Sequence, residues 1–287
     1  MNKLLVATDL SPRSDKAVQR AALLVRRFGC EWTLVHVIDD DAPQRLIERR
    51  LSDARELLED RVEGLALVAG QRPRVMVEVG SVESTINEIA LGTGAELLVL
   101  GMHRKNLLRE IFVGTSAERI IRSSRLPVLR VAGSGEDDYR KALLAVDLSA
   151  DSAHAIQTSR ALGLLDGCEL HVAHVFEAFA KGEILMSAAE ATVVAAATRE
   201  ARGQVEAELS SFLAEQQLDL PASQVHLEEG FSVVQLKRCM EKLDPDLVVI
   251  GTHGRSGLKK LMLGSVAETL LGEVARDILC VPMPPRD

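Results

Sequence analysis

Along this chain, short apolar runs alternate with longer stretches in which apolar residues return every three or four positions. Residues 3–8 (Lys-Leu-Leu-Val-Ala-Thr) read as a buried strand, and Ser11-Pro12, just after Asp9, marks a helix start. Ala17, Ala21, Leu24, Val25 and Phe28 carry a helical stripe to Gly29 as its stop. The pattern then predicts a strand at 31–38, a charged amphipathic helix at 43–68 and a strand at 74–79 closed by Gly80. A helix at 82–92, a strand at 96–100, a helix at 115–124 and a strand at 127–131 follow, before a polar linker at 133–138.

Beyond the linker the pattern begins again. Lys141-Ala-Leu-Leu-Ala-Val-Asp147-Leu-Ser149 echoes Lys3-Leu-Leu-Val-Ala-Thr-Asp9-Leu-Ser11 at an offset of about 138, and His174-Val-Phe echoes His36-Val-Ile. Leu247-Val-Val-Ile-Gly251-Thr-His253 echoes Leu97-Leu-Val-Leu-Gly101-Met-His103 at an offset of 150, as Gly264-Ser265 echoes Gly114-Thr115. The change of offset places an insertion of about a dozen residues in the Ala-rich helical region 180–217. The chain is a duplicated β-α-β-α-β-α-β-α-β unit, with domains expected at 1–132 and 139–287.

Strands that are continuous apolar runs and alternate with helices imply parallel sheets covered on both faces. The fold class is therefore α/β: two tandem domains, each a doubly wound sheet of five parallel strands with helices on both faces and right-handed crossovers, one such strand order being 3-2-1-4-5. In that order strands 1 and 4 are neighbours where the winding reverses, and a ligand crevice is expected beyond their carboxyl ends. In the second half, Asp147 and Gly251 should line it. Glycines at Gly251, Gly254 and Gly264, ahead of a helix starting at Ser265, let backbone N–H groups approach an anion and suit a phosphate.

Composition narrows the choice. Apolar residues make up 47% and charged residues 26%, as in a globular protein, but aromatics only 3%, so the cores must be Leu, Val, Ile and Ala. A net charge of −8 argues against non-specific nucleic-acid binding. Cys30, Cys168, Cys239 and Cys280 show no zinc or C-x-x-C spacing and read as reduced thiols. No run approaches a membrane span, Asp9 arrives too early for a signal peptide, and the cytoplasm is the expected compartment.

Gly251-x-x-Gly254-x9-Gly264-Ser265, with Val146-Asp147-Leu-Ser149 and His174-Val175 upstream, resembles the universal stress protein family over essentially the whole chain, as two copies. The resemblance implies a Rossmann-like fold whose paired domains associate through their last strands, here within one chain, with a homodimer expected as well. It implies ATP, or ADP or AMP, in the second half, with Mg²⁺ an optional companion held by the phosphates and Ser265. Asp147 would approach the adenosine and Val175 would contact adenine through its backbone. Gly251 and Gly254 would line ribose and phosphates, and Gly264 and Ser265, with Val266 beside them, would hold phosphate.

Arg255, Lys259 and Lys260 either neutralise a terminal phosphate or form a solvated face. The first half keeps Asp9, Val37, Gly101, Gly114 and Thr115 but has Arg104 where the second glycine should stand, so its site is expected to be empty or altered. Asp277 stands where the first copy has Pro127, leaving the geometry of the last strand open. No catalytic residue and no metal site is assigned. Ser11 and Ser149 read as helix caps, the strand histidines as sheet-edge caps, and no G-x-S-x-G or P-loop motif is present. The insertion, about 180–198, is either a partner-binding surface or a cover for its own core. The expected output is nucleotide-responsive regulation in a stress response. The alternatives are a slow ATPase or nucleotidyl-transferring enzyme, or a dimeric scaffold without nucleotide.

Overall fold

The computed structural model describes residues 1–102, 116–133, 137–177, 188–252 and 263–284, the side chains of 188–197 excepted. In the first half, β1 (Lys3–Ala7), α1 (Pro12–Phe28), β2 (Glu31–Ile38), α2 (Gln44–Ala69), β3 (Arg74–Val79), α3 (Val82–Gly92), β4 (Leu97–Gly101), α4 (Ser116–Ser123) and β5 (Val128–Val131) follow one another. The second half repeats them as β6 (Lys141–Val146), α5 (Ala150–Ala161), β7 (Glu169–Phe176), α6 (Ala188–Glu215), β8 (Val225–Glu229), α7 (Ser232–Leu243), β9 (Leu247–Gly251), α8 (Ser265–Glu273) and β10 (Asp277–Val281).

Alternation along each strand sends side chains to two cores. Leu4 and Val6 of β1 pack with Ala17, Ala21 and Leu24 of α1, while Leu5 and Ala7 pack on the other side with Ile86 of α3 and Ile120 of α4. The second half repeats this, with Leu144 under Ile156 of α5 and Leu143 under Leu236 of α7 and Leu270 of α8. Each half has the strand order expected, β3-β2-β1-β4-β5 and β8-β7-β6-β9-β10, with parallel neighbours throughout. Ser11 and Ser149 cap α1 and α5 by accepting from Ser14 N and Ser152 N. Among the described residues α6 covers Ala188–Glu215, 28 residues against 26 in α2, within the helical region expected at 180–217. Of the stretch 180–198 expected as the insertion, residues 180–187 and the side chains of 188–197 lie outside the described residues.

The halves join edge to edge. β5 and β10 pair antiparallel, Leu129 opposite Leu279, making one ten-stranded sheet and closing two edges that would otherwise expose unpaired N–H and C=O groups. Asp277 explains its departure from Pro127 here. It opens β10 in register with Leu247, and its carboxylate is buried, with 1% of the residue exposed. Tyr139 Oη donates to Oδ2 at 2.7 Å, Ala132 N and Gly133 N each donate to Oδ1 at 2.8 Å, and Arg20 Nε lies 3.2 Å from Oδ2. The Arg20 guanidinium also covers the Tyr139 ring at 4.2 Å. On the opposite face, buried Arg130 donates from Nη2 to the carbonyls of Val274 and Arg276 at 2.8 and 2.9 Å.

Burial pushes the Cys280 thiol up to about 12, and burial together with the Asp277 carboxylate holds the Tyr139 phenol well above its ordinary value. Both groups are neutral in the folded chain and ionise earlier when unfolded, from about pH 8.5 for a thiol and pH 10 for a phenol. Their stabilising effect is complete below the unfolded values and is lost as pH rises toward the folded ones. Urea midpoints are therefore expected to hold level up to about pH 8 and to fall steadily above about pH 9, less steeply in Cys280→Ala. A midpoint unchanged up to about pH 10.5 would contradict this.

Candidate functional site

Pairing between β6 and β9 ends at Leu144↔Val249, although β6 continues to Val146 and β9 to Gly251. The two strand ends splay where the winding reverses, and a cavity of about 690 Å³ opens beyond them. Ala145, Val175, Leu236 and Ile250 give it an apolar wall, and Asp147, Glu177, Ser152, Ser232 and Thr252 add polar groups. Its remaining wall is the start of α8: Gly264, Ser265, Val266 and Ala267.

The start of α8 presents the chemistry that suits an anion. Gly264 is its N-cap with extended dihedrals (φ −61°, ψ 146°) and offers no side chain to the first-turn N–H groups. The Gly264 N–H is itself used, donating to Thr252 O at 2.7 Å, which ties the helix start to the end of β9. Thr252 N donates to Val281 O at 3.1 Å, fixing that strand end against β10.

The Asp147 turn is a scaffold. Oδ1 accepts from Ser149 N at 3.1 Å, from Ser152 Oγ at 2.6 Å and from Ser149 Oγ. Leu148, between Asp147 and Ser149, adopts the left-handed region at φ 62°, as Leu10 does in the first copy. That conformation costs about 1–2 kcal/mol for a residue with a Cβ. Both leucine side chains pack against the core beneath α1 and α5, which offsets it. His174 Nδ1 lies 2.8 Å from Val146 O, and His36 Nδ1 lies 2.8 Å from Thr8 O. A carbonyl only accepts, so Nδ1 carries the proton in both rings. The strand histidines are thus caps on the neighbouring strand end.

Of the residues expected at the second site, Asp147, Val175, Gly251, Gly264, Ser265 and Val266 line this one cavity, while Gly254 and Arg255 lie outside the described residues. The spacer lysines Lys259 and Lys260 and the loop histidines His103 and His253 lie outside them too. Sequence reasoning missed Ser152, Thr252, Glu177, Ser232 and Leu236. Ser152 had a signal, since it stands three residues after the Ser149 cap and hydrogen-bonds Asp147 N at 3.0 Å. Ser232 and Leu236 come from α7, which no glycine motif marks.

The first-half crevice is smaller, about 190 Å³, and is lined by Asp9, Val37 and Gly101 together with Arg13, Ser14 and Ser116. Arg104, Gly114 and Thr115 lie outside the described residues. A larger cavity, about 820 Å³, lies between α6 and β8. It runs alongside an edge strand rather than beyond strand ends, and the glycine motif has no part in it. His171 Nδ1 lies 3.1 Å from His226 Nε2 and His171 Nε2 lies 3.1 Å from Glu169 Oε1, a linear chain on β7 and β8 that the sequence did not suggest. Among the described residues no group of three or more His, Cys, Asp or Glu could hold a metal, and no helix is long and apolar enough to cross a membrane. All four cysteines are free.

Comparison with known proteins adds independent findings. The model of the universal stress protein family matches residues 1–132 and again 138–282. A universal stress protein of Mycolicibacterium smegmatis is 24% identical over 97% of this chain and 96% of its own length. Universal stress protein A homolog 1 of Coxiella burnetii is 31% identical over 50% of this chain and 97% of its own length. Among solved structures, a universal stress protein from Archaeoglobus fulgidus superposes with a TM-score of 0.68 at 20% identity, covering 98% of both chains, a likeness of fold.

The two equivalent glycines differ in their surroundings. A Cβ at Gly101 would meet Ser14 Cα at 3.0 Å and Arg13 O at 3.1 Å, whereas one at Gly251 would meet Asp151 atoms no closer than 3.4 Å. Gly101→Ala is therefore expected to destabilise by about 1–3 kcal/mol and Gly251→Ala by less than about 1 kcal/mol. Urea unfolding of the two variants checks this, and equal costs would contradict it.

Proposed function

We propose that this chain, which belongs to the universal stress protein family, binds ATP or a related adenine nucleotide in the crevice of its second half and acts as a nucleotide-responsive regulatory protein. The observation that carries the reading is the pairing, in one cavity of about 690 Å³, of an apolar wall with a helix start whose N-cap, Gly264, has no side chain. That volume falls in the range of small-molecule and cofactor sites. The base fits against Ala145, Val175, Leu236 and Ile250. The phosphates take the N–H groups of Ser265, Val266 and Ala267, where the helix dipole favours negative charge. Gly251 allows close approach, Gly254 and Arg255 belong to the same loop in sequence, and Ser265 would help to hold a Mg²⁺ accompanying the nucleotide, whose charge would offset that of the phosphates. The units that pair are residues 1–132 and 139–287.

The first-half crevice, at about 190 Å³, falls below the usual range for such ligands, and Arg104 replaces its second glycine, so nucleotide goes to the second half alone. A second reading, slow hydrolysis, rests on Asp147 lining the cavity. Against it, one Asp147 oxygen already serves three donors of its own turn, which suits a scaffold better than a general base. Phosphate release that is well above background and vanishes in Asp147→Ala would favour the enzyme.

The binding test uses a substitution that spares the helix. Ser265 is exposed at the first position of α8, where a carboxylate is favourable to the helix dipole but repels phosphate. Ser265→Glu is expected to leave the melting temperature unchanged or raised while weakening ATP binding at least about tenfold in calorimetric titration. Unaltered affinity in the variant, or no binding of ATP, ADP or AMP by the native chain, would overturn the proposal.

A further inference from the structure

The residues that close the β5–β10 seam are not shared by the two copies. Asp277 occupies the position of Pro127, Arg130 that of Cys280, and Arg20 that of Thr158. The backbone alone makes no choice between like and unlike partners. Leu129 and Leu279 are equivalent residues and stand opposite one another, so β5 against a second β5, or β10 against a second β10, would keep the same antiparallel register.

Side chains must therefore select the partner, and their charges are complementary only one way round. The second half supplies the Asp277 carboxylate, and the first half meets it with Arg20 Nε at 3.2 Å and with the N–H groups of Ala132 and Gly133 at 2.8 Å. The first half supplies Arg130, and the second meets it with the carbonyls of Val274 and Arg276. All of this is buried, with Asp277 at 1%, Arg130 at 2% and Arg20 at 6% exposure. Two second halves paired alike would bury two copies of Asp277, each facing Thr158 in place of Arg20, and would leave the carbonyl sites facing Cys280. Two first halves paired alike would leave Arg20 facing Pro127. A buried charge without its partner is strongly destabilising.

We propose that the seam surface of each half fits only the unlike half, with Asp277–Arg20 on one face of the sheet and Arg130 with the Val274 and Arg276 carbonyls on the other as the selecting contacts. The edge that could pair chains is thereby consumed within one chain, and a homodimer has to form through a different surface. The inference concerns partner choice and is independent of nucleotide binding.

The test must remove the tether, because a linker raises the effective concentration of the attached half whatever the contacts. A protease site replacing residues 134–136 allows the folded full-length protein to be cut between Gly133 and Asp137, and native mass spectrometry then reads which halves remain paired. The nicked protein is expected to stay as the unlike pair. Asp277→Asn and Arg20→Met are each expected to weaken that pair about thirtyfold or more, and the double variant by less than the product of the two, since no lone charge is left buried. Arg130→Met gives a second arm on the opposite face, with a loss of similar size. Like pairs from the native nicked protein, or variants that fold by circular dichroism and hold the unlike pair within about threefold of native affinity, would overturn the proposal.

Discussion

A parallel sheet that winds in both directions cannot pair all its strands to their ends. At the reversal the two central strands lead to helices on opposite faces, and their carboxyl ends part. In the second half that parting lies between Val146 and Gly251, and much of what is chemically distinctive about this chain gathers around it. Asp147 and Ser152 brace one lip, Thr252 and Gly264 hold the other, and α8 points its first-turn N–H groups between them. The apolar wall follows from the same geometry, since residues just before the strand ends still face the helix layer. An open space with main-chain donors at one end and aliphatic side chains at the other is suited to a flat base joined to phosphates.

The two copies show how one architecture can be tuned by few residues. Both place a left-handed leucine after an aspartate, both cap the first strand with a histidine, and both carry a serine N-cap on the helix that follows. The divergence concentrates at the crevice and the seam. Arg104 replaces a glycine in the first loop, and Asp277 replaces a proline at the start of the last strand. The first change falls in the loop that follows β4, and the second ties together α1, the connecting segment and β10 through a buried carboxylate.

The strands and their order were legible because each is an apolar run between turn residues, and because the repeat gives every element twice. Leu97–Gly101 and Leu247–Gly251 show their burial in composition alone. The lining of the crevice was legible where it is made of motif glycines and the Asp147 turn. It was not legible at Ser232 and Leu236, which reach the cavity from a helix in no fixed sequence relation to the glycines. Asp277 was visible as an anomaly but not as a solution, because its partners lie at Arg20, Ala132, Gly133 and Tyr139, and only the fold brings these positions together.

The central claim is that the amides opening α8 receive phosphate. Hydrogen exchange followed amide by amide, with and without saturating ATP, tests it most directly. The predicted result is slowed exchange at Ser265, Val266 and Ala267 and no change at Ser116 and Ala117 of α4, the equivalents of Val266 and Ala267. Binding of ATP with exchange at the α8 amides unaltered, or with equal slowing in both helices, would contradict it.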